Sequence, residues 1–282
     1  MSKGKSVLLW VIAVIFTMCF VIYQRYTGPT YPVTGHLQYS NSEVKYKLLR
    51  TSDAAGDQEV KIKAPNTAIK GKFESKRFKK GDTWAKGADT LSIVEMKRVG
   101  DELIGLVPHQ DPAGKIFYKV NLYTDADPKG IYVKEDPTII RYKGPVPLWV
   151  LLPHIIFIFG AFLFSTRTGL NAIYKGKNTF AYAIVTVICL TLAGGILGPI
   201  MQKYAFGAYW TGWPFGHDLT DNKTAVALLF WVIAIYKLWK NKENRKWAII
   251  ASIVLIAVYL VPHSVLGSEL DYTKTVVKAV GK

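Results

Sequence analysis

Val146-Pro147-Leu148-Trp149-Val150-Leu151-Leu152-Pro153-His154-Ile155-Ile156-Phe157-Ile158-Phe159-Gly160-Ala161-Phe162-Leu163-Phe164 carries a single ionisable side chain, His154. An apolar run of roughly 17–25 residues is what a helix needs to cross the hydrocarbon of a bilayer. Four other stretches read the same way: Val7 to Tyr23, Phe180 to Ile200, Ala225 to Trp239 and Trp247 to Leu266. The run from Ala225 is the shortest and needs Thr224 and Tyr236 at its margins. Between the first run and the second lie about 120 polar residues, enough for one globular domain.

Composition agrees with that division. The chain has 282 residues, 36 Lys+Arg against 20 Asp+Glu, and 50% hydrophobic residues, for a formal charge of +16. Charge and apolarity this high together imply segregation along the chain. An aromatic share of 13% argues against disorder. Two cysteines, Cys19 and Cys189, exclude a disulfide scaffold. The first run follows Lys3 and Lys5, as a signal peptide would, but its core is too long and no A-x-A pattern follows. It reads as an uncleaved anchor.

Basic residues flanking the spans set orientation. Lys3 and Lys5, Arg167, Lys175 and Lys177, then Lys237, Lys240, Lys242, Arg245 and Lys246 fall on one side, offset by Glu243 alone, a net of +9. That side reads as cytoplasmic. Residues 24–145, the 201–223 loop and the C-terminal tail then lie outside. Charge divided among membrane-flanking loops excludes a nucleic-acid partner and leaves anionic lipid headgroups as its counterpart.

Residues 30–143 read as short strands: Val33 to Ser40, Glu43 to Arg50, Glu59 to Ala64, Ile69 to Glu74, Leu91 to Lys97, Leu103 to Val107, Ile116 to Leu122 and Ile131 to Lys134. Glu43-Val44-Lys45-Tyr46-Lys47-Leu48 alternates polar with apolar, the period of a half-buried strand. Turn residues separate the runs, among them Ser40-Asn41, Gly100-Asp101 and Asp127-Pro128-Lys129-Gly130. Eight short strands with regular turns predict an antiparallel sandwich held by packing alone. His36 and His109 sit beside turns, and no catalytic constellation is present. Lys76, Arg77, Lys79 and Lys80, near Phe73, Phe78 and Trp84, form a basic aromatic patch.

The spans carry the other candidate chemistry. His154, His217 and His263 all map near the outer face, with Asp218, Asp221, Glu269 and Asp271 close in sequence. Imidazoles with carboxylates are the ligand types of a transition-metal site, and two histidines on facing helices are the ligands of a non-covalent haem b. The spacing has no H-x-x-x-H, H-E-x-x-H or C-x-x-C. Backbone-bonded histidines are the structural alternative. Ala193-Gly194-Gly195 with Gly198 offers either a face for a flat ligand or an ordinary helix-packing surface. Trp210, Trp213 and Phe215 belong to an aromatic loop that reads as an interfacial belt or as a lid. Asp221 and Asn222 fit the capping of the fourth span. The inner halves of the spans read as almost free of ionisable residues, which opposes a transporter.

Tyr26 to Val33, His109 to Lys115, Gly212 to Lys223 and His263 to Asp271 together resemble a family of uncharacterised bacterial inner-membrane proteins. The resemblance implies an anchored β-domain followed by a helical bundle, and brings no activity with it. The expected molecule is therefore an α+β membrane protein of the bacterial inner membrane. Residues 1–25 are an N-terminal transmembrane anchor, 26–145 a periplasmic antiparallel β-sandwich, 146–267 a four-helix transmembrane bundle and 268–282 a periplasmic tail. The expected role is an accessory scaffold docking a periplasmic or membrane protein partner. The alternative is a haem- or metal-binding redox protein using the three histidines.

Overall fold

The computed structural model describes residues 1–79, 81–85 and 90–262. Its class is α+β, in two compact units: among the described residues, 1–29 with 146–262, and 30–145.

The helical unit contains α1 (Lys3–Thr27), α2 (Leu148–Ile173), α3 (Thr179–Phe206), α4 (Leu219–Lys240) and α5 (Lys246–Leu260). The first four are long and apolar enough to cross a membrane. The 15 residues of α5 rise about 22 Å. The sequence carries that span on to Leu266, and residues 263–266 lie outside the described residues. Helices that are apolar on every side suit a hydrocarbon environment, not water. On α1, Leu9, Ala13, Thr17 and Phe20 are buried, while Val7, Leu8, Val11, Ile12 and Ile15 stay exposed.

Alanines form much of the buried seam: Ala161, Ala183, Ala193, Ala227, Ala234, Ala248 and Ala251. Small side chains let helix backbones approach closely. Gly194 shows how closely, because a Cβ there would lie 2.4 Å from Thr224 Cγ2. Gly194 is thus a packing position, while Gly195 is exposed. Within α3, Thr191–Leu197 winds as a π-helix, and the Gly198 N–H reaches Ala193 O. Pro199 has no N–H for the turn before it, and Gly194-Gly195 yields easily, so the wider turn forms here.

The structure adds two points. First, α1 packs closely on the other helices. Phe20 stacks on Phe162 at 4.7 Å, Trp10 meets Phe164 edge-on at 5.4 Å, and the Tyr23 hydroxyl donates to Leu260 O at 3.0 Å. It is one of five helices in a single unit. Second, α2 does not stop at Phe164 but continues to Ile173. Ser165-Thr166-Arg167-Thr168 looks like the polar end of a span, yet Ser165, Arg167 and Thr168 are fully buried. They face other helices; Ser252 Oγ, for example, donates to Ser165 O at 2.8 Å.

In the second unit the strands are β1 (Val33–Tyr39), β2 (Ser42–Leu48), β3 (Thr51–Ser52), β4 (Gln58–Lys63), β5 (Lys70–Arg77), β6 (Ser92–Glu95), β7 (Lys97–Val99), β8 (Glu102–Val107), β9 (Lys115–Tyr123), β10 (Ile131–Tyr132) and β11 (Thr138–Tyr142). One sheet has the order β1-β2-β4-β8-β7, the other β3-β11-β9-β5-β6 with β10 on β9. All pairings are antiparallel except β3 with β11. One apolar core draws Val44, Val60, Ile62 and Leu103 from the first sheet and Phe73, Tyr118, Val120 and Ile140 from the second. Gly105 of β8 lies under the Phe73 ring, where a Cβ would come within 2.4 Å of Cδ2. Ser40 and Asn41 take positive φ of 50° and 57°, as the two central residues of a type I′ hairpin must.

The run Leu91 to Lys97 divides at Met96 into strands of different sheets, and the Met96 N–H donates to Gly71 O at 2.7 Å. Alternation alone cannot show such a change of sheet. The short strands β3 and β11 also lack a readable pattern.

Buried tyrosines give this unit an alkaline limit. Burial pushes the Tyr142 phenol from its ordinary 10.0 up to about 12, and its hydroxyl donates to Val107 O at 3.0 Å. A 2.7 Å hydrogen bond to Glu95 takes Tyr123 to about 12 as well. Burial also raises Tyr118. The folded state holds these protons more tightly than the unfolded chain does. The contribution of Tyr142 and Tyr123 to stability is therefore complete below pH 10 and is lost as pH rises through about 12. Phenolate absorbance against pH should show late-titrating tyrosines whose ionisation coincides with loss of β-structure, and Tyr142→Phe should weaken that loss.

Candidate functional site

A set of buried polar side chains lies where α3 passes into α4: Gln202, Asp218, Asp221, Lys223 and Thr224. Gly207, at φ +85°, ends α3, and its N–H donates to Lys203 O at 3.0 Å. The chain returns to α4 at Asp218, whose Oδ1 accepts from the Thr220 N–H at 2.8 Å as the N-cap. In the first turn of α4, Asp221 Oδ2 accepts from the N–H groups of Thr211 (2.7 Å) and Gly212 (2.9 Å). Asn222 Oδ1 accepts from the Trp213 N–H at 2.7 Å. Three consecutive loop N–H groups are thus held by two adjacent side chains. Gly212 is required by the close approach, since a Cβ there would sit 2.5 Å from Asp221 Cβ.

Neighbouring side chains complete this clamp. Gln202 of α3 donates to Thr211 Oγ1 at 2.5 Å. Lys223 Nζ donates to Val261 O (2.7 Å) and Pro262 O (3.1 Å), satisfying carbonyls where the chain leaves α5. Thr224 Oγ1 and Tyr259 Oη lie 3.3 Å apart. Asp218, Asp221 and Lys223 are all buried. Capping is therefore the work of Asp218, while Asp221 and Asn222 brace the loop.

The clamped loop presents Trp213 and Phe215 outward, at 76% and 83% exposure. These are the two most exposed large apolar side chains among the described residues. Trp210 stays half-buried, with its indole N–H on Trp213 O at 3.1 Å. Of the three loop aromatics read as a belt or a lid, Trp213 and Phe215 form a projecting tip on a braced base.

The histidines stand apart in function. His154 Nδ1 lies 3.1 Å from Ala193 O, the carbonyl that also serves the π turn. A carbonyl only accepts, so Nδ1 carries the proton. His217 is exposed on the loop, while His263, Glu269 and Asp271 lie outside the described residues. Among the described residues, no three His, Cys, Asp or Glu side chains converge as a metal site would require. The basic aromatic patch of the β unit also divides. Phe73 is core, and Lys76 is buried with Nζ on Thr83 O at 2.9 Å. Arg77 and Lys79 are exposed, and Lys80 lies outside the described residues.

Arg167, read from sequence as a flanking charge, is fully buried inside α2. The C-terminal half of α2 is therefore not free of ionisable groups. Its sequence signal is indirect: Asn171 one turn on and Ser6 on α1 supply the partners.

No protein-family model matches the chain, and no curated protein is significantly similar to it. The resemblance drawn from its four segments gains no support from those comparisons.

Asp221→Ala removes one acceptor from two loop N–H groups. An orphaned buried donor costs about 1–3 kcal/mol. Faster proteolysis within residues 207–218, with a shift in tryptophan emission, is expected, and Asp221→Asn should show a smaller change. Unaltered cleavage in Asp221→Ala would contradict the clamp.

Proposed function

We propose that this protein is a multi-pass scaffold of the bacterial inner membrane that docks a partner protein through the clamped aromatic loop. In this reading the Lys- and Arg-rich connections lie in the cytoplasm. The two sheets pack as a periplasmic sandwich, and the α3–α4 loop faces the same compartment. The positive-inside bias supports that orientation. The shared apolar core of the two sheets supports the sandwich.

One observation carries the docking role: Trp213 and Phe215 project from a backbone already held by Asp221 and Asn222. Aromatic anchors dominate the energetics of protein interfaces. A rigid base lowers the entropy lost on binding, which is where a flexible loop would forfeit affinity.

Photo-crosslinking tests the role directly. A benzophenone side chain placed at 213 or 215 should yield a discrete protein adduct in intact cells. The same probe at exposed Ile156 should not, and Asp221→Ala should abolish the adduct. Adducts with lipid alone would make the tip an interfacial anchor and overturn docking. Orientation has its own test. In intact cells, a membrane-impermeant maleimide should label Ser92→Cys, and should label Lys177→Cys only after lysis. The reverse pattern would invert the topology.

A further inference from the structure

Among the described residues, Arg167 is a cation without a counter-ion. Its guanidinium is wholly buried, with Nη1 donating to Asn171 Oδ1 at 3.0 Å and Nη2 to Ser6 Oγ at 3.1 Å. The rings of Trp10 and Tyr182 flank it, 5.3 and 4.9 Å from Cζ to the centroids. The buried Nε has no acceptor. These neutral partners disperse the charge and do not cancel it. Among the described residues, Arg167 forms no ion pair. None is available locally, because residues 1–42 and 137–217, which include all of α1, α2 and α3, contain no Asp or Glu. Glu243 is already paired with Arg245 at 3.0 Å.

The surroundings add positive charge. The first turn of α1 carries Lys3 and Lys5 and no acid, the inverse of what a helix N-terminus prefers. Lys175 and Lys177 lie in the connection from α2 to α3. Charges buried in spanning helices are costly and normally find a compensating group. Ser6 gives the buried cation a route to the surface. Its Oγ accepts from Arg167, its own O–H is left to donate, and its side chain is half-exposed.

We infer that the first turn of α1, backed by Arg167 through Ser6, seats the phosphate of an anionic phospholipid. Lys3 and Lys5 and the Ser6 hydroxyl would face the phosphate oxygens, and the bilayer supplies that group at the level where α1 begins. The inference rests on the membrane-spanning reading and is independent of the docking loop.

The test uses the full-length protein, extracted by mild detergent from bilayers holding equal phosphatidylglycerol and phosphatidylcholine, with retained lipid counted by native mass spectrometry. One phosphatidylglycerol per chain should be retained, several-fold over phosphatidylcholine. Ser6→Ala should cut that retention several-fold, and Arg167→Gln should bring it to the phosphatidylcholine level. Arg167→Lys should fall between, because one ammonium cannot span Asn171 and Ser6 as the guanidinium fork does. Lys242→Gln should leave retention unchanged. Equal retention of both lipids, or indifference to Ser6→Ala and Arg167→Gln, overturns the proposal. Displacement by excess inorganic phosphate would assign the seat to free anions and also overturn it. If Arg167→Gln does not fold, Ser6→Ala still decides. Failure of the membrane reading is distinguishable, because the chain would then be recovered without detergent.

Discussion

The carboxylate of Asp221 holds the N–H groups of Thr211 and Gly212, and the architecture around the start of α4 depends on that interaction. Asn222 and Gln202 hold the same loop beside it. With it, Thr211 is brought to Gln202, Trp213 is brought to Asn222, and the Trp213 and Phe215 rings face outward. Such a clamp needs no ligand to form, because each buried polar atom finds a partner within the chain. It converts an aromatic loop into a defined surface.

The same rule operates with less complete satisfaction around Arg167. Ser6, Asn171 and Thr179 link α1, α2 and α3 there, with Asn171 donating to Thr179 Oγ1 at 2.9 Å. Hydrogen bonding is largely met while net charge is not. Full burial next to two aromatic rings makes the guanidinium a structural tie for α1. Its lack of a carboxylate makes it a tie that calls for an anion. The α1 helix is therefore joined to the bundle by polar chemistry as well as by the stack of Phe20 on Phe162.

In the β unit, alternation and turn chemistry carry most of the fold. Val60 and Ile62 face the core while Lys61 and Lys63 face outward, as period two requires. Ser40-Asn41 makes its hairpin because both residues tolerate positive φ. The crossing at Met96 escapes this logic, since a residue that passes between sheets keeps the same apolar pattern as one that stays in place. Packing against Gly71, where a Cβ would lie 2.7 Å from Met96 Sδ, settles where the crossing falls.

Sequence by itself determined the apolar runs, the polar interval between the first two, and the strands within it, because each rests on periodicity or length. It also pointed to the loop of Trp210, Trp213 and Phe215 through its composition. What those residues do was decided by tertiary structure. Asp221 reads as a cap and acts as a clamp, Trp213 and Phe215 project outward, and His154 is engaged by a carbonyl of the π turn. Arg167 reads as the end of a span and lies buried within it. The reason is common to all four. A side chain takes its role from the groups that face it, and local pattern does not show which groups those are.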